Sequence, residues 1–459
     1  MAFVSYGYPY DNDTQGGGPL IPISQTSVGE KVALEIGLPE ELLDFARMVN
    51  SGELSGRADV KVRLTADIDL TRHQWTPIGL GKAQFAGRFD GCGHTISAVT
   101  IQKKWPGNYG LFGYVTGAIQ NVTVTGTIYN RSGEPHSAVG GIVGDLAGGV
   151  IRNCAADLVI DSNRRSLGFF AGGIAGLLEK GGLVQNCRSS VRVDNVLANF
   201  LYLGGVSGAV MDSRVERCTY TGAITVLGGE IYYIDVGGIA GNVQGRSFVT
   251  GCLNLGVLDA SAYDFNCACI GGVIGRVEGP AVVRDCCNWG SVSGGERAVG
   301  GILGDFSLYD RVAEADCVLE NCLNLGKVVQ SPDSCSASCG GIVGEIINKA
   351  VDRPVQVRNC VSLGELTCLG KDGPAHPITA YAEGAVFENN YYDESLPAQG
   401  REDLRAAVAA GCAAKPAAYL TSNEFLEDME RRGGRYALGT DGMLTVRELE
   451  TGGNAYDDE

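Results

Sequence analysis

Short apolar runs bounded by paired glycines recur through most of this chain. One copy extends from Val139 to Ile160 and has the sequence VGGIVGDLAGGVIRNCAADLVI. Short β-branched and aliphatic runs between Gly and Asn are typical of β-strands joined by sharp turns. The pattern therefore predicts an all-β chain in which one short strand closely follows another.

The glycine pairs return at intervals of about 30 to 40 residues, and each pair is followed by Ile or Val. The same placement of glycines in every copy is typical of a solenoid, in which each repeat stacks on the next. The pairs are Gly140-Gly141, Gly172-Gly173, Gly204-Gly205, Gly237-Gly238, Gly271-Gly272, Gly300-Gly301 and Gly340-Gly341.

A single coil has no partner for its backbone N–H and C=O groups, whereas stacked coils pair them about 4.8 Å apart. The sequence thus predicts a single-stranded right-handed parallel β-helix, a pectate-lyase-like solenoid of about eight to ten coils. Because glycine holds a fixed position in each coil, we expect a turn there that needs positive φ or close backbone approach.

A cysteine recurs with the same period as the glycine pairs, and it follows an asparagine in four of its seven copies. Val122 takes the same place in the first coil and Asn390 takes it in the last. Since neither can form a disulfide, we expect a buried column of free thiols. The column consists of Cys154, Cys187, Cys218, Cys252, Cys286, Cys322 and Cys360.

The two ends of the chain have different patterns. Residues 38–50, LPEELLDFARMVN, carry an apolar stripe with proline at the first turn, which predicts an amphipathic helix, and a second helix is expected at 421–429. We expect helices at both ends to cap the solenoid. The predicted division is a flexible leader (1–28), an N-terminal capping helix region (29–58), the β-helix (59–395) and a C-terminal helical and strand cap (396–459).

Several motifs carry a resemblance to a known family. DIDL at 67–70, WTPIG at 75–79, FAGRFDGCGHTI at 85–96 and YGLFG at 109–113 precede the GGIVG-type coils. This series resembles the GLUG-motif β-helix proteins of bacterial surfaces, a module also found in streptococcal IgA-cleaving metallopeptidases. The resemblance covers roughly residues 35–395 and implies the fold. It implies no catalytic residues, because the motif is a scaffold, and the four histidines show no HExxH spacing.

Charge and hydropathy restrict the partners. The 459 residues include 36 Lys and Arg against 53 Asp and Glu, a formal net charge of −17, which disfavours nucleic acid and anionic membranes. No stretch of about 20 apolar residues predicts membrane insertion, and residues 1–25 lack the features of a signal peptide. The resemblance implies an extracellular or cell-surface location, with the leader trimmed or the chain a fragment of a longer protein.

The most irregular coil offers candidates for catalysis. Residues 304–321 carry inserted charges, and β-helix lyases and hydrolases place paired acids, or an acid and an arginine, on such a coil face. A polysaccharide lyase or glycoside hydrolase would use residues from this set, although a solvated acidic loop is the favoured interpretation. The candidates are Asp305, Asp310, Arg311 and Asp316.

Aromatic residues cluster just before the glycine pairs, so stacked coils should gather them along one edge, where rings suit sugars or a protein surface. Strand alternation should turn half of them inward. The candidates are Phe169, Phe170, Phe200, Tyr202, Tyr232 and Tyr233. They favour a non-catalytic, adhesin-like binding module for a glycan or a host or environmental protein, with a structural stalk as a further alternative. No metal or cofactor is expected, because the histidines and cysteines lack ligand spacing.

Overall fold

The chain winds into a right-handed parallel β-helix of about eight turns, as the glycine period predicts. The structure is a computed structural model. It describes residues 25–28, 31–102, 107–129, 136–162, 166–194, 198–226, 233–261, 268–294, 297–308, 316–330, 338–349, 353–369, 375–397 and 411–450. Within these residues the inter-coil pairings are parallel, and the two antiparallel pairs lie near the ends of the chain.

Four sheets run along the solenoid. Sheet 1 contains Gln25–Val28, Lys31–Ile36, Lys61–Leu64, Arg88–Asp90, Ala118–Gln120, Val150–Arg152, Leu183–Gln185, Arg214–Glu216, Ser247–Thr250, Ala281–Arg284, Val318–Glu320, Val355–Arg358 and Ala385–Glu388. Sheet 2 contains His136–Gly140, Ser166–Gly172, Ala198–Gly204, Tyr233–Gly237, Ala268–Gly271, Ala298–Gly300, Ser338–Gly340 and Ala375–His376. Sheet 3 contains Phe112–Val115, Val143–Ala147, Ala175–Glu179, Ser207–Met211, Ala240–Gln244, Ile274–Glu278, Leu303–Leu308, Val343–Asn348 and Thr379–Glu383.

Sheet 4 receives up to two short strands from each coil. It contains Ile68–Asp69, Thr95–Ile101, Thr123–Tyr129, Ala155–Asp161, Arg188–Ser189, Arg192–Asp194, Thr219–Tyr220, Ala223–Thr225, Leu253–Asn254, Val257–Ala260, Cys287–Asn288, Val292–Gly294, Leu323–Asn324, Val328–Gln330, Val361–Ser362, Leu366–Cys368, Asn390–Asp393 and Cys412–Lys415. A separate antiparallel pair is formed by Tyr436–Leu438 and Leu444–Val446. From residue 136 onward, each coil visits the sheets in the order 2, 3, 1, 4. The inward Val, Ile and Leu side chains of the coils form one core along the axis.

The glycine pairs lie at the bend from sheet 2 to sheet 3, where the first glycines of successive coils are in register. Of the two expected reasons for glycine, close approach is the one that applies. A Cβ built on Gly204 would lie 1.8 Å from the carbonyl oxygen of Ser207, and one built on Gly140 would lie 2.0 Å from that of Val143. Neither glycine has positive φ. Any side chain here would therefore collide with the backbone of its own bend.

The cysteine column is confirmed in the structure. All seven thiols are buried and free, and Cys154 is followed in register by Cys187. Val122 and Asn390 occupy the predicted end positions of the column. Each thiol from Cys187 onward lies near a main-chain carbonyl of the preceding coil, as the 3.8 Å from Cys218 Sγ to Val184 O illustrates. The thiols thus act as small core residues with weak hydrogen bonds.

A buried ladder of asparagines on sheet 4 has no counterpart in the sequence predictions. Asn254 Nδ2 donates to Asn288 Oδ1 over 2.8 Å, and Asn288 Nδ2 donates to Asn324 Oδ1 over 2.9 Å. All three side chains are fully buried. Each amide also bonds to the backbone two residues later; for example, Asn254 Oδ1 accepts a hydrogen bond from Gly256 N. It therefore ties three consecutive coils together through side chains as well as backbone.

Helices form at both predicted places. Helix α1 (Pro39–Asn50) packs Phe45 against Phe85 and Phe89, with ring centroids 5.8 and 6.5 Å away. Near the C-terminus lie α2 (Ala417–Leu420), α3 (Asn423–Arg431) and α4 (Arg447–Glu450). That these helices cap the open ends, and that the domains divide where expected, remain predictions; sheet 1 already includes residues 31–36.

The C-terminal segment, residues 416–450, packs along one side of the solenoid. Phe425 of α3 contacts the ring of Tyr391 edge-on at 5.3 Å, and the segment covers the outward apolar side chains of Cys287, Leu323 and Val361 on sheet 4. Tyr436, which is fully buried, hydrogen-bonds through Oη to the carbonyl oxygens of two different coils. The segment therefore spans several coils laterally.

Candidate binding groove

Outward side chains of sheets 2 and 3 meet at the bend made by the glycine pairs. Asn242 Nδ2 on sheet 3 donates to Asp235 Oδ2 on sheet 2 over 2.8 Å, while the neighbouring Ile234 and Val243 point into the core. We call this corner, where the outward faces of the two sheets meet, the corner groove. Successive coils line its sheet 2 wall with Ala138, Phe170, Tyr202, Asp235 and Cys269 and its sheet 3 wall with Asp145, Leu177, Ala209, Asn242, Arg276, Asp305 and Glu345.

The predicted aromatic residues of the coil at 166–172 divide between core and groove, as strand alternation requires. Phe169 is fully buried in the main core. Phe170 points the other way and packs with Ala138 and Ala209 in a small separate cluster. Its ring stacks on that of Tyr202 from the next coil, with centroids 5.1 Å apart and planes 12° apart.

A second pair of rings lies two residues further from the bend, on the same outward face. Phe200 and Tyr233 are partners in register, with ring centroids 6.3 Å apart. Phe200 is 37% exposed, which is high for a phenylalanine on a sheet face, and Tyr233 is partly exposed. Tyr232, the remaining candidate, lies outside the described residues. The groove therefore carries four aromatic rings from three consecutive coils.

Buried charges occupy the groove next to the rings. Arg276 is only 1% exposed, and its Nε lies 3.4 Å from Asp235 Oδ1 and 3.2 Å from Asp305 Oδ2. Its Nη2 donates to Cys269 Sγ over 3.0 Å. Asp305 also pairs with Arg297, whose Nη2 lies 3.1 Å away. A guanidinium is thus held between two buried carboxylates, a geometry in which each ion compensates the desolvation of the others.

Arg276 also connects the charges to the aromatic rings. Its guanidinium carbon lies 4.3 Å from the ring centroid of Tyr233, and Nη1 donates to the Tyr233 hydroxyl. Nη1 also lies 3.4 Å from Glu278 Oε1 at the more open side of the groove. Stacking and hydrogen bonding together fix the orientation of the Tyr233 ring.

Burial and neighbouring charges shift the pKa values of the charged residues in the groove. Burial raises the pKa of Asp235 above its usual range, and the Arg276 charge opposes that rise. The pKa of Arg276 is raised, since the burial that disfavours its charge is outweighed by Asp235, Cys269 and Asp305. Burial and the Asp305 charge raise the pKa of Glu345. The charges of Asp235 and Glu345 therefore depend strongly on the two arginines.

The N-terminal part of the groove contains another acidic group. Burial and the charge of Glu179 raise the pKa of Asp145 to about 7, with Lys180 and a hydrogen bond from Asn108 opposing the rise. The Asn108 amide is 3.4 Å away, and Asp145 Oδ1 has no hydrogen-bond partner among the described residues. Tyr114 precedes Asp145 in register on the same wall.

The candidates for catalysis are separated by the fold. Asp305 is fully buried, and its oxygens are engaged by Arg276, Arg297 and the Ser307 hydroxyl, which donates over 2.7 Å. Asp316 is exposed beside sheet 1, where its nearest charged partner is Arg353 at 3.9 Å. Asp310 and Arg311 lie outside the described residues. Asp305, buried on sheet 3, and Asp316, exposed before a strand of sheet 1, therefore lie in different environments.

Sequence analysis missed Asp235, Asn242 and Arg276. Each is a polar residue at an outward position, flanked by apolar residues and glycine, in YIDVGG, AGNVQ and VIGRVE. Such polar residues close to a glycine pair were a usable signal, because the bend brings the two outward faces together. No group of three or more His, Cys, Asp or Glu is placed to hold a metal in the described ranges, and Cys267 and Cys335 fall outside them.

The chain was compared with known proteins. No family model matches it. A 105-residue segment, 21% of this chain, is 34% identical to a protein of Evansella cellulosilytica named "Putative Gly-rich membrane protein", of whose length it spans 12%. The structure titled "Crystal structure of a putative immunoglobulin A1 protease from Bacteroides ovatus" aligns over 92% of this chain and 94% of that one, with a TM-score of 0.38 and 17% identity. In the described part of this chain, no helix has the length and apolar character needed to cross a membrane.

Proposed function

We propose that this chain is a non-catalytic binding module of the cell surface or extracellular space, and that it holds a glycan in the corner groove. The observation that carries the proposal is the set of four rings on neighbouring coils, with Phe200 partly exposed beside a fixed polar network. Aromatic faces pack against the C–H faces of sugars, and polar groups beside them can bind hydroxyls.

The rigidity of the groove supports binding. Tyr202 and Tyr233 lie on strands of a continuous sheet, and Tyr233 is oriented further by Arg276. A ligand would meet rings that are already in place, so little conformational entropy would be lost on binding. The repeat of successive coils also suits a polymer, since equivalent positions recur along the axis.

The surroundings of Asp305 favour binding over catalysis. A general acid or base must reach the substrate, whereas Asp305 is fully buried and held by Arg276, Arg297 and Ser307. The surface location is supported by the resemblance to GLUG-motif proteins and is compatible with the name of the Evansella relative. An enzyme of the β-helix class and a structural stalk are the competing functions.

A glycan array combined with a reducing-sugar assay tests the proposal. We expect binding without turnover, and we expect Phe200→Ala or Tyr202→Ala to weaken binding about tenfold because each removes a stacking surface. Trp289→Ala is the matched control, since this residue is 38% exposed directly after the sheet 4 strand Cys287–Asn288, away from the groove. Circular dichroism and a thermal melt would verify the fold of each variant.

The other outcomes discriminate between the functions. Release of reducing ends that is lost in Asp305→Asn would assign the chain to the polysaccharide-cleaving class. No binding and no turnover over a broad glycan set would favour the stalk. Equal losses in Phe200→Ala and Trp289→Ala would place the binding surface outside the corner groove.

A further inference from the structure

The charged groups of the corner groove bear on which class of glycan it would hold, a question that rests on the proposed function. The described groove contains two arginines, and both are engaged by carboxylates. Arg276 contacts Asp235, Asp305 and Glu278, and Arg297 contacts Asp305 and Glu345. A uronic acid or sulfate group would therefore have to displace an existing ion pair to find a cation here.

Hydrogen-bond acceptors exceed donors in the same place. Asn242 is 1% exposed and its Oδ1 has no hydrogen-bond partner within the described residues, while Asp235 Oδ1 faces Arg276 Nε at 3.4 Å. The Asn242 amide nitrogen is already committed to Asp235 Oδ2 at 2.8 Å and to Glu278 Oε2 at 3.4 Å, which directs the side chain into the network. An unsatisfied buried acceptor is costly, so this network disfavours a further acceptor at its edge and favours a ligand that brings N–H or O–H donors there.

Glu278 is the carboxylate best placed to meet a ligand. Its side chain is 35% exposed, compared with 15% for Glu345 and none for Asp305. Gln244 Nε2 donates to Glu278 Oε2 over 3.0 Å and holds the carboxylate in place. Glu278 also acts on Tyr202, since burial and the Asp235 and Glu278 charges together raise the pKa of the Tyr202 phenol. The carboxylate thus lies beside the aromatic rings.

We infer that the corner groove selects a glycan bearing free amino groups over one bearing carboxylate or sulfate groups, and that Glu278 receives the ligand's ammonium group. The rings of Tyr202 and Tyr233 border the same position, where a cation gains from an aromatic face as well as from the carboxylate. Neutral glycans bind through the rings alone and have intermediate affinity. The net charge of −17 also attracts cationic glycans and repels anionic ones over longer range.

Calorimetric titration with three defined hexasaccharides tests the inference: glucosamine hexamer, cellohexaose and hexagalacturonate, at about pH 6 and low salt. We expect the glucosamine hexamer to bind at least about tenfold more tightly than hexagalacturonate, with cellohexaose between them. Glu278→Gln keeps the shape of the side chain and should weaken glucosamine binding about fivefold, with a clearly smaller effect on cellohexaose binding. Glu365→Gln is the control, because that carboxylate is 61% exposed and pairs with Lys327 beside sheet 4.

Each contrary result has a distinct meaning. If hexagalacturonate binds as tightly as the glucosamine hexamer, the inference is wrong while the proposed function stands. If Glu278→Gln and Glu365→Gln weaken glucosamine binding equally, Glu278 is not the residue that receives the ammonium group. If none of the three hexasaccharides binds, the proposed function itself fails for this groove.

Discussion

Asparagine at the turn before the cysteine column is explained by backbone conformation. Asn121, Asn153 and Asn186 have φ of 55°, 53° and 55°, and the equivalent Asn321 has φ of 54°. Asparagine tolerates this left-handed region better than most residues, and glycine tolerates it best. Gly251 occupies the turn in one coil with φ of 62°. The Asn-Cys pairs visible in the sequence therefore combine a turn residue with a core residue.

This division of roles could be predicted only in part. The regular spacing of Cys154 and its equivalents was enough to predict a buried column. Val122 in the equivalent position of the first coil argues against metal binding or disulfide formation along the column. Positive φ and close backbone approach were both open for the glycine pairs; close approach applies there, and positive φ occurs at the asparagines. A glycine in a sequence does not reveal whether it avoids a clash or adopts positive φ, since both requirements select against a Cβ.

Asp145 should make stability depend on pH. Its pKa is about 7 in the folded chain and 3.8 in the unfolded reference, so between these values the folded state retains a proton that the unfolded state has released. Stability from this group is therefore present below about pH 4 and is lost as pH rises toward 7. We expect Asp145→Asn to remove a decline of about 1 to 2 kcal/mol in the free energy of unfolding across that window.

Denaturant unfolding at pH 4.5, 6 and 7.5 measures this effect. Asp157→Asn is a suitable control, because Asp157 is exposed on sheet 4. The interpretation of Asp145 is wrong if its variant keeps the full pH dependence of the parent chain, or if Asp157→Asn flattens the curve to the same extent.

At the scale of single elements, the asparagine ladder makes coil stacking depend on side-chain amides. Asn288 is the middle member: it accepts from Asn254 and donates to Asn324. Replacing it leaves a buried donor on one neighbour and a buried acceptor on the other. We expect Asn288→Ala to reduce the free energy of unfolding by about 2 to 4 kcal/mol.

Asn254→Ala provides the comparison, because it removes one ladder bond and should cost less. The double variant should lose less than the sum of the single losses, since the two side chains share a hydrogen bond. Chemical denaturation of the three variants measures all of these quantities. Strict additivity, or a larger effect at Asn254, would contradict the ladder as an energetic unit.

The elements themselves follow from the sequence better than the groove does. Glycine pairs and apolar runs predict strands because they impose bends and burial locally. The meeting of Asp235, Asn242 and Arg276 depends on the angle between sheets 2 and 3 and on the register of adjacent coils. Neither quantity is encoded in the spacing of a single repeat, so the aromatic residues were predicted and the charged network beside them was not.

At the scale of the whole molecule, a solenoid transmits a local loss of packing mainly to neighbouring coils. Phe425 lies between the C-terminal segment and the side of the coils at Tyr391. Phe425→Ala should cost about 3 to 5 kcal/mol in local stability by leaving a cavity. We expect faster amide exchange in residues 436–446 and in strands Leu323–Asn324 and Val361–Ser362, with no change in strands Ala118–Gln120 and Val150–Arg152.

Hydrogen exchange measured by mass spectrometry gives the required resolution. Phe45→Ala is the corresponding experiment at the other end of the chain, where Phe45 packs against Phe85 and Phe89. Its effect should be confined to the first coils. Uniform acceleration along the chain in either variant would indicate a single cooperative unit in place of neighbour-limited coupling.

Because equivalent residues stay in register, the position of a coil along the solenoid axis does not depend on how many residues the coil contains. Gly272 and Gly301 are 29 residues apart and Gly301 and Gly341 are 40 apart, yet Gly300 pairs with Gly271 on one side and with Gly340 on the other. Insertions and deletions between strands can therefore accumulate in a gene of this kind without shifting the phase of later coils. The same property offers a protein engineer sites for grafting a foreign peptide at a chosen height along the rod.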